Sequence, residues 1–163
     1  MRIVSLVPHA TELLFALGLG DAVVGVTHEC DHPTQARRRE PVTRDRLPTG
    51  LSAAEIDAAV RARTERGESI YELDQEALHT LEPDLIVTQA LCAVCAVSHD
   101  EVEAIAARMP VPPAVISLDP STFGETLADV RTVAQATGTR DAALELIART
   151  GRRVDAVRRA VRD

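Results

Sequence analysis

Sulfur and imidazole are concentrated in two short stretches of this chain, His28-Glu29-Cys30-Asp31-His32 and Cys92-Ala93-Val94-Cys95, which together hold all three cysteines. Thiolate and neutral imidazole are the usual donors to zinc. Cys30, Cys92, Cys95 and either His28 or His9 match a tetrahedral three-sulfur, one-nitrogen site with Zn–S distances of about 2.3 Å. A redox reading competes with it. Cys95 lies three residues before Ser98, where a helix start would favour thiolate. The Cys-x-x-Cys is not on that first turn, however, and no Trp or Pro accompanies it. The plainest alternative is that small cysteines pack these loops and do no chemistry. His9 has two readings, a metal ligand or a hydrogen-bonded loop histidine. His79 and His99 read as surface residues, and Asp100 and Glu101 as helix-start acids.

Each sulfur-bearing stretch follows an apolar run with the character of a buried strand, residues 22–26 and 84–88. A third such run, residues 3–7, leads into Pro8-His9-Ala10-Thr11, and residues 114–118 make a fourth. Helical patterns alternate with them: 11–17, stopped by Gly18 or Gly20; 52–63, with a Ser52/Glu55 capping box; 74–81, capped by Asp74; 98–108; and 122–137, closed by Gly138. Residues 37–48 read as a charged loop with a short strand near Val42. This alternation specifies an α/β fold, a three-layer lobe with a mostly parallel sheet of four to five strands. Loops after the carboxyl ends of such strands form ligand sites. With the first strand central, the two sulfur-bearing loops start roughly 10 Å apart, two strand spacings.

Residues 139–162 form a last helix of about 35 Å. Leu144, Ile147, Val154, Val157 and Val161 make a narrow apolar stripe along it, too long for a four-strand domain to cover. The size is that of one domain, and the scarcity of aromatics (Phe15, Tyr71 and Phe123) requires an aliphatic core. Net charge is −7, and seven of the eighteen arginines crowd the last 24 residues. The remaining body is acidic, which argues against nucleic acid as a partner. No Ser/His/Asp arrangement, dinucleotide fingerprint or phosphate loop supports an enzyme. Met1-Arg2 runs straight into the first strand without an apolar leader. As written, the chain is expected in the cytoplasm, and outside it if a leader has been removed.

Ser5-Leu6-Val7-Pro8-His9-Ala10-Thr11-Glu12-Leu13-Leu14, Val24-Gly25-Val26-Thr27 leading into Cys30-Asp31-His32-Pro33, and Leu81-Glu82-Pro83-Asp84-Leu85-Ile86 resemble the cobalamin-type substrate-binding proteins of ABC importers. The likeness runs in order along essentially the whole chain. It is strongest to the branch carrying His-Glu-Cys-Asp and the pattern found here in residues 91–98. The resemblance implies that 1–138 is the N-terminal ligand-binding lobe and that 139–163 begins the long helix joining it to a second lobe. It implies a bound metal chelate, whether cobalamin, another corrinoid, a haem or an iron chelate, and delivery to an ABC transporter permease. Ligand contacts would fall on Pro8, His9, Thr11, His28, Glu29, Cys30, Cys92 and Cys95. Asp100, Glu101 or Glu103 would dock the transporter. His9 departs from the small hydroxyl residue usual in the family, which adds an axial-type ligand or changes the substrate. The alternative from the residues alone is a zinc or iron thiolate protein built on His28, Cys30, Cys92 and Cys95. The uncovered last helix also suggests a homodimer.

Overall fold

The computed structural model describes residues 1–90 and 97–161. Its centre is β1 (Ile3–Ser5), each residue of which is fully buried. β2 (Val23–Val26) and β6 (Leu85–Thr88) pair with β1 from either side, β3 (Glu40–Pro41) lies outside β2, and β7 (Ala114–Ser117) lies outside β6. All four pairings are parallel. The run of apolar residues in β1 and β6 reflects burial on both faces, as parallel sheets require. Ile3, Leu85 and Val87 face one apolar cluster with α1 (Pro8–Ala16), α5 (Phe123–Thr137) and α6 (Arg140–Ala160). Val4 and Ile86 face the other, with α3 (Gln75–Leu81) and α4 (His99–Ala106). Val23 and Val26 reach the same cluster despite their odd spacing, because the β1–β2 register slips between Ile3 and Val4.

Most boundaries differ from the sequence expectation by a residue or two, and the difference that matters lies between the first strand and the first helix. The first strand ends at Ser5 rather than residue 7, and α1 begins at Pro8 rather than residue 11. Proline at a first helical position gives up only an N–H that has no partner there, and its fixed φ suits the turn. Val7 is extended and caps the helix; Gly18, at φ 79°, follows its end. A further difference is β5 (Tyr71–Leu73), which pairs antiparallel with β4 (Thr43–Asp45). β4 continues the course of β3, so this hairpin rises beyond the carboxyl edge of the main sheet. Between its strands runs α2 (Ala53–Glu65), held by the expected Ser52/Glu55 capping box, with no buried residue.

α6 covers the core only near its start, where Ala143 is buried. Leu144, Val157 and Val161 are 55%, 62% and 76% exposed, so the stripe does project past the lobe. Packing over β2 leaves no room for a side chain at Gly25. A Cβ on Gly25 would lie 2.6 Å from Leu81 Cδ1, 3.1 Å from Val42 Cγ1 and 3.2 Å from Val4 Cγ2. Gly25→Ala is therefore expected to destabilise the fold by about 1–3 kcal/mol through overpacking, measured by chemical denaturation. A loss under about 0.5 kcal/mol, the range of neutral surface changes, would show that α3 yields freely.

Candidate functional site

The carboxyl ends of β1, β2 and β6 converge because backbone bonds carry their alignment past the strands. Leu6 N–H donates to the Val87 carbonyl at 2.9 Å and Thr27 N–H to the Ser5 carbonyl at 2.9 Å. Three segments therefore leave one edge side by side: Leu6-Val7 running into the start of α1, the loop His28 to Pro33, and Gln89-Ala90.

A buried hydroxyl relay fixes the first two of these segments to each other. Ser5 Oγ donates to the Val7 carbonyl (3.1 Å), and Thr11 Oγ1 donates to Ser5 Oγ (2.8 Å). Thr11 has then used its proton, so the Cys30 thiol is the donor across the 3.0 Å gap to Thr11 Oγ1. Cys30 N–H is held by the Thr27 carbonyl at 2.9 Å. Cys30 is only 5% exposed, and burial, with the nearby Asp31 and Glu29 carboxylates, pushes its thiol up. This is the environment of a neutral thiol that braces a loop.

The second loop presents its polar groups outward. Thr43, at the start of β4, accepts the His28 backbone N–H (3.1 Å), contacts His28 Nδ1 (2.7 Å) and is hydrogen-bonded to Thr27 Oγ1 (2.8 Å). Tyr71, at the start of β5, sets its ring edge-on to His28 at 5.1 Å, and its hydroxyl donates to Glu29 Oε1 at 3.1 Å. His28 Nε2 stands 3.6 Å from the same carboxylate oxygen. The imidazole is a quarter exposed and the Glu29 side chain half exposed, so both reach solvent from a rigid seat.

Pro8, Thr27, Glu29, Thr43, Tyr71 and Gln89 line a cavity of about 40 Å³ at this edge. Ligand pockets run to about 300–1,000 Å³, so this hollow admits an atom group, and a large ligand must lie across the edge. Beyond β6, Asp119 ties down the neighbouring loop: its carboxylate accepts from Ala90 N–H and, at 2.7 Å, from Ser117 Oγ. His9 turns the other way from Pro8, toward α5, with Nε2 at 3.9 Å from Asp129 Oδ2. Burial raises the Asp129 carboxyl; His9 opposes this, while Asp119 and Glu125 reinforce it.

The residues expected from sequence thus separate by role. Pro8, His28 and Glu29 face the edge, His9 stands beside it, and Thr11 and Cys30 brace it from within. Cys92 and Cys95 lie outside the described residues. Among the described residues no group of three or more His, Cys, Asp or Glu is arranged to hold a metal ion. Thr43 and Tyr71 were not expected from sequence; the single tyrosine of an aromatic-poor chain was the available signal for one of them. His79 is exposed as expected. His99 is less so: a quarter exposed, it sits 3.4 Å from Glu103, and its Nδ1 is buried without a partner.

The Cys30 environment has a pH signature. A thiol harder to ionise when folded lends stability that is complete below the unfolded value, about 8.5, and that falls as pH rises through the window toward the folded one. Cys30→Ala is expected to flatten this alkaline loss, measured by denaturation at a series of pH values. Identical slopes in both proteins would contradict it.

Comparison with known proteins bears on the family and the fold. The Vitamin B12-binding protein of Vibrio cholerae is 54% identical over 41 residues, 25% of this chain and 15% of that protein. The apo periplasmic heme-binding protein RhuT from Roseiflexus sp. RS-1 has a TM-score of 0.68 and 26% identity, covering 99% of this chain and 50% of its own. The periplasmic vitamin B12 binding protein BtuF of Vibrio cholerae has a TM-score of 0.57 at 23% identity, covering 92% and 48%. The chain therefore spans about half the length of the solved structures it matches. No described helix is long and apolar enough to cross a membrane. The profile of the family described as periplasmic binding protein matches residues 3–163, and the chain belongs to that family.

Proposed function

We propose that this chain is the N-terminal ligand-binding lobe of an extracytoplasmic substrate-binding protein that takes up cobalamin or a related corrinoid for an ABC transporter. The observation that carries this reading is the assembly of rigidly seated, outward-facing polar groups where β1 and β2 end. Membership of a non-enzymatic binding family supports it. Pro8, His9, His28, Glu29 and Tyr71 contact the ligand, with Thr11 and Cys30 bracing them; Cys92 and Cys95 of the third loop complete the set.

Charge favours a corrinoid over a haem. Glu29 lies at the edge and Asp119 beside it, bound to Ala90, while Arg44 on β4 is already paired with Asp74 at 2.7 Å. A haem brings two carboxylates that would meet these acids, whereas all but one of the corrin side chains of cobalamin end in neutral amides, the last leading to a single phosphodiester. Residues 1–138 form the lobe and 139–163 begin the helix that carries a second lobe, whose apolar surface covers the exposed stripe of α6. Asp100, Glu101 and Glu103, on or beside the exposed face of α4, meet the permease.

Calorimetric titration of the 163-residue chain tests the ligand. Cyanocobalamin is expected to bind, hemin at least about tenfold more weakly, and Tyr71→Ala to lose roughly tenfold, about 1.4 kcal/mol. Tighter hemin binding, or no response to cyanocobalamin, would reject the assignment. Sedimentation tests the α6 face: a monomer at all concentrations is expected, while a dimer dissolved by Val157→Asp would put a second copy there instead.

A further inference from the structure

The polar residues lining the hollow at the carboxyl edge are Thr27, Glu29, Thr43, Tyr71 and Gln89, and their hydrogens can be placed in turn. Tyr71 gives its hydroxyl hydrogen to Glu29 Oε1 at 3.1 Å. His28 Nε2 faces the same oxygen at 3.6 Å, so the neutral ring carries its hydrogen there and leaves Nδ1 bare. Nδ1 is then an acceptor, and Thr43 Oγ1 donates to it at 2.7 Å. Thr43 has no second hydrogen, so Thr27 supplies the one in their 2.8 Å contact. The His28 backbone N–H, at 3.1 Å, takes the other Thr43 lone pair.

The hydroxyl hydrogens of the lining are thus spent within its wall. Thr27 and Glu29 offer oxygen lone pairs, and among the described lining side chains the Gln89 amide is the one that still has hydrogens to give. The hollow measures about 40 Å³. A water needs roughly 10–15 Å³ by the same measure, so there is room for about three heavy atoms. Thr27 and Thr43 are 5% and 6% exposed, so an occupant must reach them on an arm.

We propose that the hollow is a subsite for a primary carboxamide, whose N–H groups are accepted by Glu29 and Thr27 and whose carbonyl accepts from Gln89. The inference rests on reading the site as corrinoid-binding, and it gives the hollow to one propionamide of the corrin, the longer of its two kinds of amide arm. A carboxamide has three heavy atoms and brings the donors that the lining lacks. A carboxylate of the same size brings acceptors alone. It would set lone pairs against Thr27 and negative charge against Glu29, and a site built for a donor rejects an analogue without one.

Calorimetric titration at pH 8, where a carboxylic acid is ionised, compares cyanocobalamin with its three monocarboxylic acids, each with one propionamide hydrolysed. One acid is expected to bind at least about tenfold more weakly than cyanocobalamin, and the other two within about threefold. Glu29→Gln, which adds an N–H donor to the hollow, is expected to narrow that one gap to under about threefold. The comparison of acids uses the unaltered chain and stands without the variant. Three acids weakened alike would mark general repulsion by an acidic surface, and three bound as tightly as cyanocobalamin would mark a hollow that holds water only. Either result overturns the proposal and leaves the corrinoid reading intact. A gap unchanged in folded Glu29→Gln overturns it as well, because amide and acid are then told apart elsewhere. Absence of cyanocobalamin binding overturns both.

Discussion

Burial of β1 between β2 and β6 is the constraint on which the rest of the molecule depends. A strand paired on both sides and covered on both faces has no freedom of register: Ile3 and Val4 must enter opposite clusters, and a slip of one residue would exchange them. The same pairing sets where the loops depart. Because both neighbours run parallel to β1, all three strands end at one edge, and the described residues that follow β1 and β2 meet there.

What the strands bring together, buried hydroxyls then make rigid. Ser5, Thr11, Thr27 and Thr43 are polar groups within or beside an aliphatic core, and each would be costly if left without a partner. Their mutual bonds satisfy them and join α1 to the β2 loop and that loop to the β4–β5 hairpin. His28 and Glu29 are consequently held from behind, so little ordering entropy remains to be lost on binding. Cys30 belongs to this bracing layer. Its thiol proton is directed inward to Thr11, away from the edge.

The central features were legible because they are long or chemically marked. Strands of continuous apolar character, the Ser52/Glu55 and Thr122/Glu125 capping boxes and the glycines after α1 and α5 each leave a local trace. The β4–β5 hairpin does not: Tyr71–Leu73 is too short to establish a period of two, and Thr43-Arg44-Asp45 has the composition of a loop. Tyr71 and Thr43 therefore joined the site only through the fold. Asp129 lies 120 positions from His9 on an ordinary helical face, and nothing along the chain pairs them. The exposed end of α6 was visible in advance, since five apolar residues at helical spacing must either be covered or remain bare.

Stability and exposure divide this lobe sharply. β1 is buried throughout, whereas α2 buries nothing and α6 overhangs its own core. Function is assigned to the boundary between them, the edge where a rigid sheet ends and solvent begins. Amide NMR of the isotopically labelled chain titrated with cyanocobalamin probes that assignment residue by residue. Shifts are expected at His9, Thr27, His28, Thr43 and Tyr71, with the opposite edge, at Arg2, Glu82 and Val111, left unmoved. Shifts centred on Arg2, Glu82 and Val111, or spread evenly over the chain, would contradict a ligand site at the carboxyl edge of the sheet.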